Sequence, residues 1–433
     1  MQENSRTVLI SFRKMTLDNG LRVIVHQDRD NPISSLDIHY LVGSRDDRVR
    51  HAGMAHLLEH LMFEGTVLFP SYDQVVQNAG GENNAYTTSD TTNYHVTLPS
   101  QNLEKVIQLE ADRMANIRIT AKSFHKEKQV VLEEFKETVL NKPYGDSFHL
   151  ISSLAYKKHP YRWPTIGFNE KSISNLTLEA TRKFYRQFYQ PSNAIVSITT
   201  NRDYDEIFSL IKKYFGGIKG KSLVKRKYAI EPSQHQLQKL TASRLAPAEA
   251  IYMAFHSNCR RSREFYIADV ISDLLSNGHS TRLFRNIIRG KKLASNIDAY
   301  ITGSLDPGLF IIEAKAIPGI SIKKIEAAIW EQLNLLKTKP VSSRELTKIK
   351  NTIESSLIFS EINGLNKAIT LSYFEMLGDA NAINSEGELY QSVTSEEILA
   401  SSRKIFNRKN CNVVYYKKAK EGGGFYEDEE EDD

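Results

Sequence analysis

The chain has 433 residues, of which 40% are hydrophobic and 25% are charged. This length is too great for one ordinary core and predicts two large domains. No apolar run approaches the ~20 residues that a membrane-spanning helix needs, so we expect no membrane span. The net charge of +5 is small, and Lys and Arg cluster only around residues 219–227, so nucleic acid is not an expected partner.

Cysteine content and the N-terminus bear on the compartment. Cys259 and Cys411 are the two cysteines of the sequence, too few for a disulfide framework or a thiolate zinc site. Residues 1–6 lack the basic start and apolar segment of a secretory signal. We therefore expect a cytoplasmic protein, with a periplasmic location as the alternative if a signal peptide has been removed.

The first half of the chain mixes hairpin-like strands with helices. Residues 21–25, after the turn at Asp18-Asn19-Gly20, and residues 35–42 are predicted strands. Apolar periodicity then predicts helices at residues 53–63, 71–79, 101–116 and 120–140. Residues 84–98 are rich in Thr, Tyr and Val, which favour one or two further strands.

Residues 250–416 repeat this order. A strand at 249–255 and a helix at 265–275 stand where the second strand and first helix stood. Further matching pairs are 83–88 with 297–302, 124–131 with 343–350, and the closing strands 194–198 with 412–416. The sequence therefore predicts an internal duplication with a period of about 210 residues.

The expected fold is α+β, with two homologous domains that each contain a mostly antiparallel sheet packed by helices. The predicted boundaries are a first domain at 1–218, a linker at 219–234, a second domain at 235–418 and an acidic tail at 419–433. The tail ends in seven consecutive acidic residues, 427–433, which predict a solvated, flexible segment, with a docking role as the less favoured alternative.

The most specific short motif is His56-Leu57-Leu58-Glu59-His60 in the first half. This is H-x-x-E-H, the inverted form of the zincin motif. On a helix, residues at i and i+4 share one face, so both imidazoles can reach one metal ion with Glu59 beside them. The matching helix of the second half has Asp269-Val270-Ile271-Ser272-Asp273 instead, so only the first domain is expected to bind metal.

A catalytic zinc ion normally has three protein ligands, so a third residue must complete the site. The predicted helix at 122–140 contains the candidates Glu127, Glu133, Glu134 and Glu137. Glu127 and Glu134 are seven residues apart and project from the same face. One of them can bind the metal while the other orients a ligand. The alternative is an ordinary charged surface helix.

The stretch Gly53 to Thr66 resembles the signature of the pitrilysin, insulysin and mitochondrial processing peptidase family, in particular its shorter, two-domain bacterial-type members. Further matching stretches are 80–87, 109–114 and 188–194. The resemblance implies that His56, His60 and Glu134 bind one zinc ion per chain and that Glu127 is the carboxylate behind them. It also implies a zinc metalloendopeptidase that cleaves peptides or unfolded segments in a closed chamber, with this chain as half of a clam-shell.

In such a peptidase Glu59 and Glu127 are the expected catalytic residues, with Glu59 as the base that activates water. The resemblance further implies that Asn84 and Ala85 lie on an exposed edge strand to which a peptide substrate adds. Arg289 matches an Arg that contacts substrate in relatives that act alone, but Ser295 stands where a Tyr is expected.

The missing Tyr leads us to expect a dimer. The preferred partner is a related chain that lacks the zinc motif and supplies Arg and Tyr, and a homodimer is the alternative. A different kind of function also remains open: a zinc-binding core subunit of a larger complex, without processing activity of its own. The intact Glu59 argues against that alternative, because a purely structural subunit does not need a base. A small-molecule hydrolase fits poorly with an edge strand.

Overall fold

The computed structural model describes residues 9–221, 226–419 and 426–428. Its strands form two sheets that are each six-stranded within this part of the chain. The first sheet contains β1 Arg13–Thr16, β2 Arg22–Gln27, β3 Ile33–Tyr40, β4 Glu82–Thr87, β5 Thr92–Pro99 and β6 Ala194–Thr200. The second contains β7 Gln238–Arg244, β8 Ala250–His256, β9 Ala294–Ile301, β10 Leu309–Ala316, β11 Cys411–Lys418 and β12 Tyr426–Asp428.

The two sheets have the same topology. The first has the order β1-β2-β6-β3-β5-β4 and the second the order β12-β7-β11-β8-β10-β9. In each sheet the second and third strands of that order are parallel, and the other pairs are antiparallel. The predicted α+β class with two homologous, mostly antiparallel domains is therefore confirmed. The outermost strand differs in origin, since β1 precedes β2 whereas β12 comes from the predicted acidic tail.

Helices cover the sheets. In chain order the α-helices are α1 Met54–Leu61, α2 Tyr72–Asn78, α3 Leu103–Asn116, α4 Ala121–Phe135, α5 Ser147–Ala155, α6 Glu170–Ser174, α7 Leu178–Phe188, α8 Tyr204–Phe215, α9 Arg263–Ser276, α10 Ile322–Thr338, α11 Ser343–Ser360, α12 Gly364–Leu377, α13 Glu386–Gln391 and α14 Ser395–Ile405. Two π-helical segments occur at Lys136–Leu140 and Phe284–Gly290. None of the described helices is both long enough and apolar enough to cross a membrane.

The chain forms two compact units that are discontinuous in sequence. Unit 1 comprises Met1–Phe135, Trp163–Tyr228 and Ser356–Glu386; unit 2 comprises Lys136–Arg162, Ala229–Ser355 and Gly387–Asp433. Each unit therefore includes one segment from the opposite half of the sequence. The boundaries predicted from the repeat, with a linker at 219–234, stay a prediction about the duplication.

The exchanged segments contribute helices to the sheets. In unit 1, α12 packs on β3 and β6: Ser372 bonds to Asp37 and His39, and Thr199 Oγ1 donates to the carbonyl of Gly364 at 2.9 Å. In unit 2, Ile151 and Ala155 of α5 belong to the core that includes Tyr252 and Val414. Hydrogen bonds in unit 1 and buried apolar side chains in unit 2 thus join sequence-distant elements.

The acidic tail is only partly described. Tyr426–Asp428 form β12, which pairs antiparallel with β7. The remaining acidic residues lie outside the described part of the chain.

Candidate metal centre

Helix α1 is positioned by its apolar face. Leu57, Leu58 and Leu61 are fully buried, and this burial leaves His56 and His60 on a face that is partly exposed. Burial of such a face, rather than intrinsic propensity, is what stabilises a helix of eight residues.

The start of α1 is fixed by two residues upstream of the motif. Gly53 has φ +100°, a left-handed conformation that favours glycine, and a Cβ there would lie 3.0 Å from the carbonyl oxygen of Ile166. The buried carboxylate of Asp47 accepts hydrogen bonds from the backbone N–H groups of Gly53, Met54 and Ala55 at 2.8, 3.1 and 3.1 Å. These N–H groups have no partner within the helix, so Asp47 satisfies the donors at its N-terminus.

The predicted ligands come together on α1 and α4. His56 Nε2 lies 3.8 Å and His60 Nε2 lies 3.5 Å from the same oxygen, Oε2 of Glu134. The two imidazole rings are nearly perpendicular, with centroids 4.8 Å apart. Within the described residues this is the one group of three or more possible ligand side chains whose ligand atoms all lie within 4.8 Å of one another.

The other nitrogen of His60 meets the second glutamate of the pair. His60 Nδ1 lies 3.4 Å from Glu127 Oε2, and Glu127 is largely buried. Lys126 Nζ in turn lies 3.0 Å from Glu127 Oε1 and 2.9 Å from Glu64. A carboxylate behind a metal-binding imidazole fixes its tautomer and ring orientation, which is the part that Glu127 fits.

The protonation states of the two histidines differ. Burial lowers the pKa of His56 to about 4, so that ring is neutral. Burial also lowers the pKa of His60, but hydrogen bonds with Glu127 and Glu134 outweigh it and raise the pKa to about 9. The hydrogen bond from His60 holds the pKa of Glu127 at about 2. A cation that binds here therefore displaces a proton from His60, because a ligating imidazole must be neutral.

The donor set fits zinc. Two imidazole nitrogens and one carboxylate oxygen are borderline ligands that suit Zn²⁺, and they leave one tetrahedral position open. Ligand atoms about 2.0–2.1 Å from zinc lie roughly 3.3 Å apart in a tetrahedron, close to the 3.5 and 3.8 Å found here. Nε2 is the atom of the His56 ring that faces the cluster, since it lies 3.8 Å from Glu134 Oε2. The buried Nδ1 of the same ring has no hydrogen-bond partner among the described residues.

Glu59 lies beside this group without joining it. Its Oε2 accepts a hydrogen bond of 2.5 Å from Thr87 Oγ1, at the end of edge strand β4. Burial raises the pKa of Glu59, and the bond from Thr87 opposes that rise. A carboxylate with a raised pKa is a better proton acceptor near neutral pH.

The predicted substrate-binding residues fall in both units. Strand β4 ends the order of the first sheet and pairs only with β5 in the described chain, and Asn84 is exposed on it. The side chain of Asn84 accepts a hydrogen bond from the N–H of Ala85 at 2.8 Å. Arg289 is exposed on the π-helical segment of unit 2, and Ser295 is exposed at the start of β9.

Two residues with clear contacts to the site were not assigned roles from the sequence, Thr87 and Asp47. Thr87 lies within a stretch that matches the family, and strand periodicity places it on the same face of β4 as Ala85. This two-residue period of the strand was the sequence signal that could have identified Thr87. Nothing in the local sequence around Asp47 indicates that it binds the start of α1.

The fold and this cluster define the class: an α+β protein of two homologous domains with a candidate metal centre of the inverted zincin type. Family models match both halves. The model described as Insulinase (Peptidase family M16) matches residues 22–167, and the model described as Peptidase M16 inactive domain matches residues 175–353.

Individual relatives agree with these matches. Zinc protease PqqE of Helicobacter pylori is 30% identical over 353 residues, which are 80% of this chain and 79% of that protein. A crystal structure of a protease from Helicobacter pylori has a TM-score of 0.91 at 27% identity and covers 94% of this chain and 100% of its own. Pitrilysin shares the fold, with a TM-score of 0.78 at 18% identity over 94% of this chain and 45% of that chain. The chain belongs to the M16 peptidase family.

Proposed function

We propose that the protein is a zinc metalloendopeptidase that cleaves peptides or unfolded protein segments. The observation that carries this proposal is the convergence of His56, His60 and Glu134 on one point, with the carboxylate of Glu59 beside them. The family membership and the names of the relatives support it.

Each residue has a distinct role in the proposed reaction. His56, His60 and Glu134 hold one zinc ion per chain, and Glu127 orients the ring of His60 through Nδ1. When bound, a zinc ion would supply the Lewis acidity that lowers the pKa of water and polarises the scissile carbonyl. Glu59 accepts the proton of the attacking water and delivers it to the leaving amine. The bond from Thr87 holds the Glu59 carboxylate in one orientation for both transfers.

The open edge of β4 is the proposed substrate site. A peptide that adds as a further strand pairs through its backbone, so many sequences can bind. Asn84 and Ala85 lie at this edge, three and two residues before Thr87, respectively. The substrate would then pair with the strand whose Thr87 hydroxyl donates a hydrogen bond to the base, Glu59.

We also propose that the active form is a dimer. Arg289 matches the Arg that contacts substrate in relatives that act alone. Ser295 stands where those relatives are expected to have a Tyr and cannot supply its phenol, so oxyanion support is incomplete in one chain. Pitrilysin, which this chain covers by 45%, is about twice as long, consistent with two such chains making one complete enzyme. A related chain without the zinc motif is the preferred partner, and a second copy is the alternative. Full activity of the homodimer would exclude the preferred partner.

The test is cleavage of quenched peptides of graded length by the zinc-loaded chain, with and without a chelator, beside Glu59→Gln. We expect chelator-sensitive cleavage that the variant loses, by a factor of about 10²–10⁴, while its zinc content stays at that of the parent. Zinc content is measured by elemental analysis of the same samples. Turnover retained by Glu59→Gln would overturn the role of Glu59. A full zinc content without cleavage, alone or with a related partner, would favour the structural alternative.

A further inference from the structure

Unit 2 contains a cavity of about 270 Å³. Its lining residues are far in sequence from the H-x-x-E-H motif. It lies between α10, β7 and β11. Its buried side chains are Glu326, Trp330 and Tyr415, and its exposed basic side chains are Lys239, Lys323 and Arg408. We call these six residues the basic pocket.

The basic pocket has an excess of positive charge. Its one carboxylate, Glu326, accepts a hydrogen bond of 2.8 Å from the hydroxyl of Tyr415. Lys323 Nζ lies 3.9 Å from the centroid of the Tyr415 ring, and Arg408 Cζ lies 4.9 Å from that of Trp330. Among the described residues no carboxylate forms an ion pair with Lys239, Lys323 or Arg408. The aromatic rings hold two of these cations at the pocket and leave their charge available to an anion.

The pocket also contains an unsatisfied donor. The side chain of Trp330 is buried, with 6% of its surface exposed, and its Nε1–H has no acceptor within the described chain. A buried N–H without a partner costs free energy. The three cations, with no carboxylate paired to them among the described residues, favour a ligand that carries several anionic oxygens.

The register of β12 indicates a candidate for such a ligand. Asp428 pairs with Thr241 of β7, and the two strands are antiparallel. A continuation of β12 in the same register would run toward Lys239 and Leu237, both of which line the pocket. The residues that follow in the sequence are Glu429, Glu430, Glu431, Asp432 and Asp433. In an antiparallel pairing, the fourth residue after Asp428 would lie opposite Leu237, so a segment of five residues is long enough.

We propose that the basic pocket binds the carboxylates of the acidic segment Glu429–Asp433 of the same chain. Because β12 pairs with β7, the segment is tethered close to the site, which raises its effective concentration there. The entropy lost on binding is therefore smaller than for a free peptide. The site is specific for an acidic peptide, and it is separate from the candidate metal centre. It does not depend on the proposed peptidase activity.

In the first test, a zero-length carbodiimide cross-linker joins amines and carboxylates that are in contact in the full chain. Peptide mapping then identifies the linked residues. We expect amide links from Lys239 and Lys323 to Glu429–Asp433. The exposed residues Lys324 and Lys409 are neighbours that do not line the pocket and serve as internal controls. Equal linkage to those controls would overturn the proposal. In a mixture of isotope-labelled and unlabelled chains, links between the two forms would assign the segment to a second copy and overturn the same-chain claim.

The second test uses Trp330 as a reporter, since the sequence has two tryptophans and Trp163→Phe leaves only this one. In that background the five acidic residues are replaced by Gln and Asn, and a peptide with the native segment is added. We expect its binding to change Trp330 fluorescence, and Lys239→Ala with Lys323→Ala to weaken it about tenfold, while Lys324→Ala has no effect. Added salt should weaken it further. Saturation by inorganic phosphate with no response to the peptide would overturn the proposal.

Discussion

Helices α1 and α9 follow equivalent strands, β3 and β8, in sheets of the same order, yet of the two only α1 carries the histidine pair of the candidate metal centre. Where α1 has His56 and His60, the sequence match places Asp269 and Asp273 on α9. Asp269 accepts a hydrogen bond of 2.6 Å from Tyr390, and Asp273 accepts one of 3.0 Å from Asn277. Each aspartate is satisfied by a neighbour within its own unit.

The helices that supply the carboxylates differ in the same way. The correspondence between 124–131 and 343–350 aligns Glu127 with Leu346, and the same offset aligns Glu134 with Ile353. Both Leu346 and Ile353 are buried. The repeated fold tolerates either set, because sheet order and apolar packing specify the architecture, while the four side chains His56, His60, Glu127 and Glu134 distinguish the candidate metal centre.

The largest expected difference between corresponding positions of α1 and α9 is at His60. We expect His60→Ala to lose bound zinc and peptide cleavage together, with zinc affinity falling by more than the about 10–100-fold that loss of an outer partner causes. Elemental analysis and the peptide assay measure the two effects. The matched variant is Asp273→Ala at the corresponding position of α9, which should keep both. Zinc bound at the parental level in His60→Ala would contradict the assignment.

Variants of Glu127 and Glu134 distinguish the metal ligand from the residue that orients a ligand. Glu127→Gln should reduce zinc affinity about 10–100-fold, because His60 loses the carboxylate at Nδ1. Glu134→Gln should reduce it more, since Glu134 faces both Nε2 atoms. Competition with a chromogenic chelator gives both affinities. The roles would be reversed if Glu127→Gln proved the more damaging of the two.

Thr87 connects the edge strand to the base. Thr87→Val removes the bond to Glu59, and a hydrogen bond to a charged group contributes about 1.5–3 kcal/mol. We therefore expect kcat to fall by roughly tenfold or more with little change in KM, and Thr87→Ser to restore it. Steady-state kinetics at saturating zinc measures this. A loss confined to KM would point to substrate binding by β4 instead.

Asp47 affects the stability of the fold around α1. Asp47→Ala leaves three backbone N–H groups without their acceptor, so the free energy of unfolding should fall by about 1–3 kcal/mol. Urea denaturation of the zinc-free chain measures the change apart from metal binding. Asp205→Ala, an exposed residue of α8, is the control and should have almost no effect.

Much of the fold and site was predictable because the signals are local. The period of the duplicated strands and the H-x-x-E-H spacing lie within single elements, as does the seven-residue spacing of Glu127 and Glu134. Helix periodicity also reached residue 140, although the structure has a π-helical segment there after Phe135. The bond between Thr87 and Glu59 and the exchange of segments between units join residues distant in sequence, which no local period reports. Asp47 binds backbone N–H groups only six to eight residues further on, but across a mostly irregular stretch of chain that has no period to indicate the contact.

The exchange of segments has a consequence for how the polypeptide is made. During synthesis, β3 and β6 leave the ribosome long before α12, whose Ser372 bonds to Asp37 and His39 of β3. Unit 1, which contains the candidate metal centre, is therefore incomplete until its last segment, Ser356–Glu386, has been translated. A gene fragment that ends near residue 218 would yield a polypeptide with an uncovered sheet face, prone to aggregation and to proteolysis.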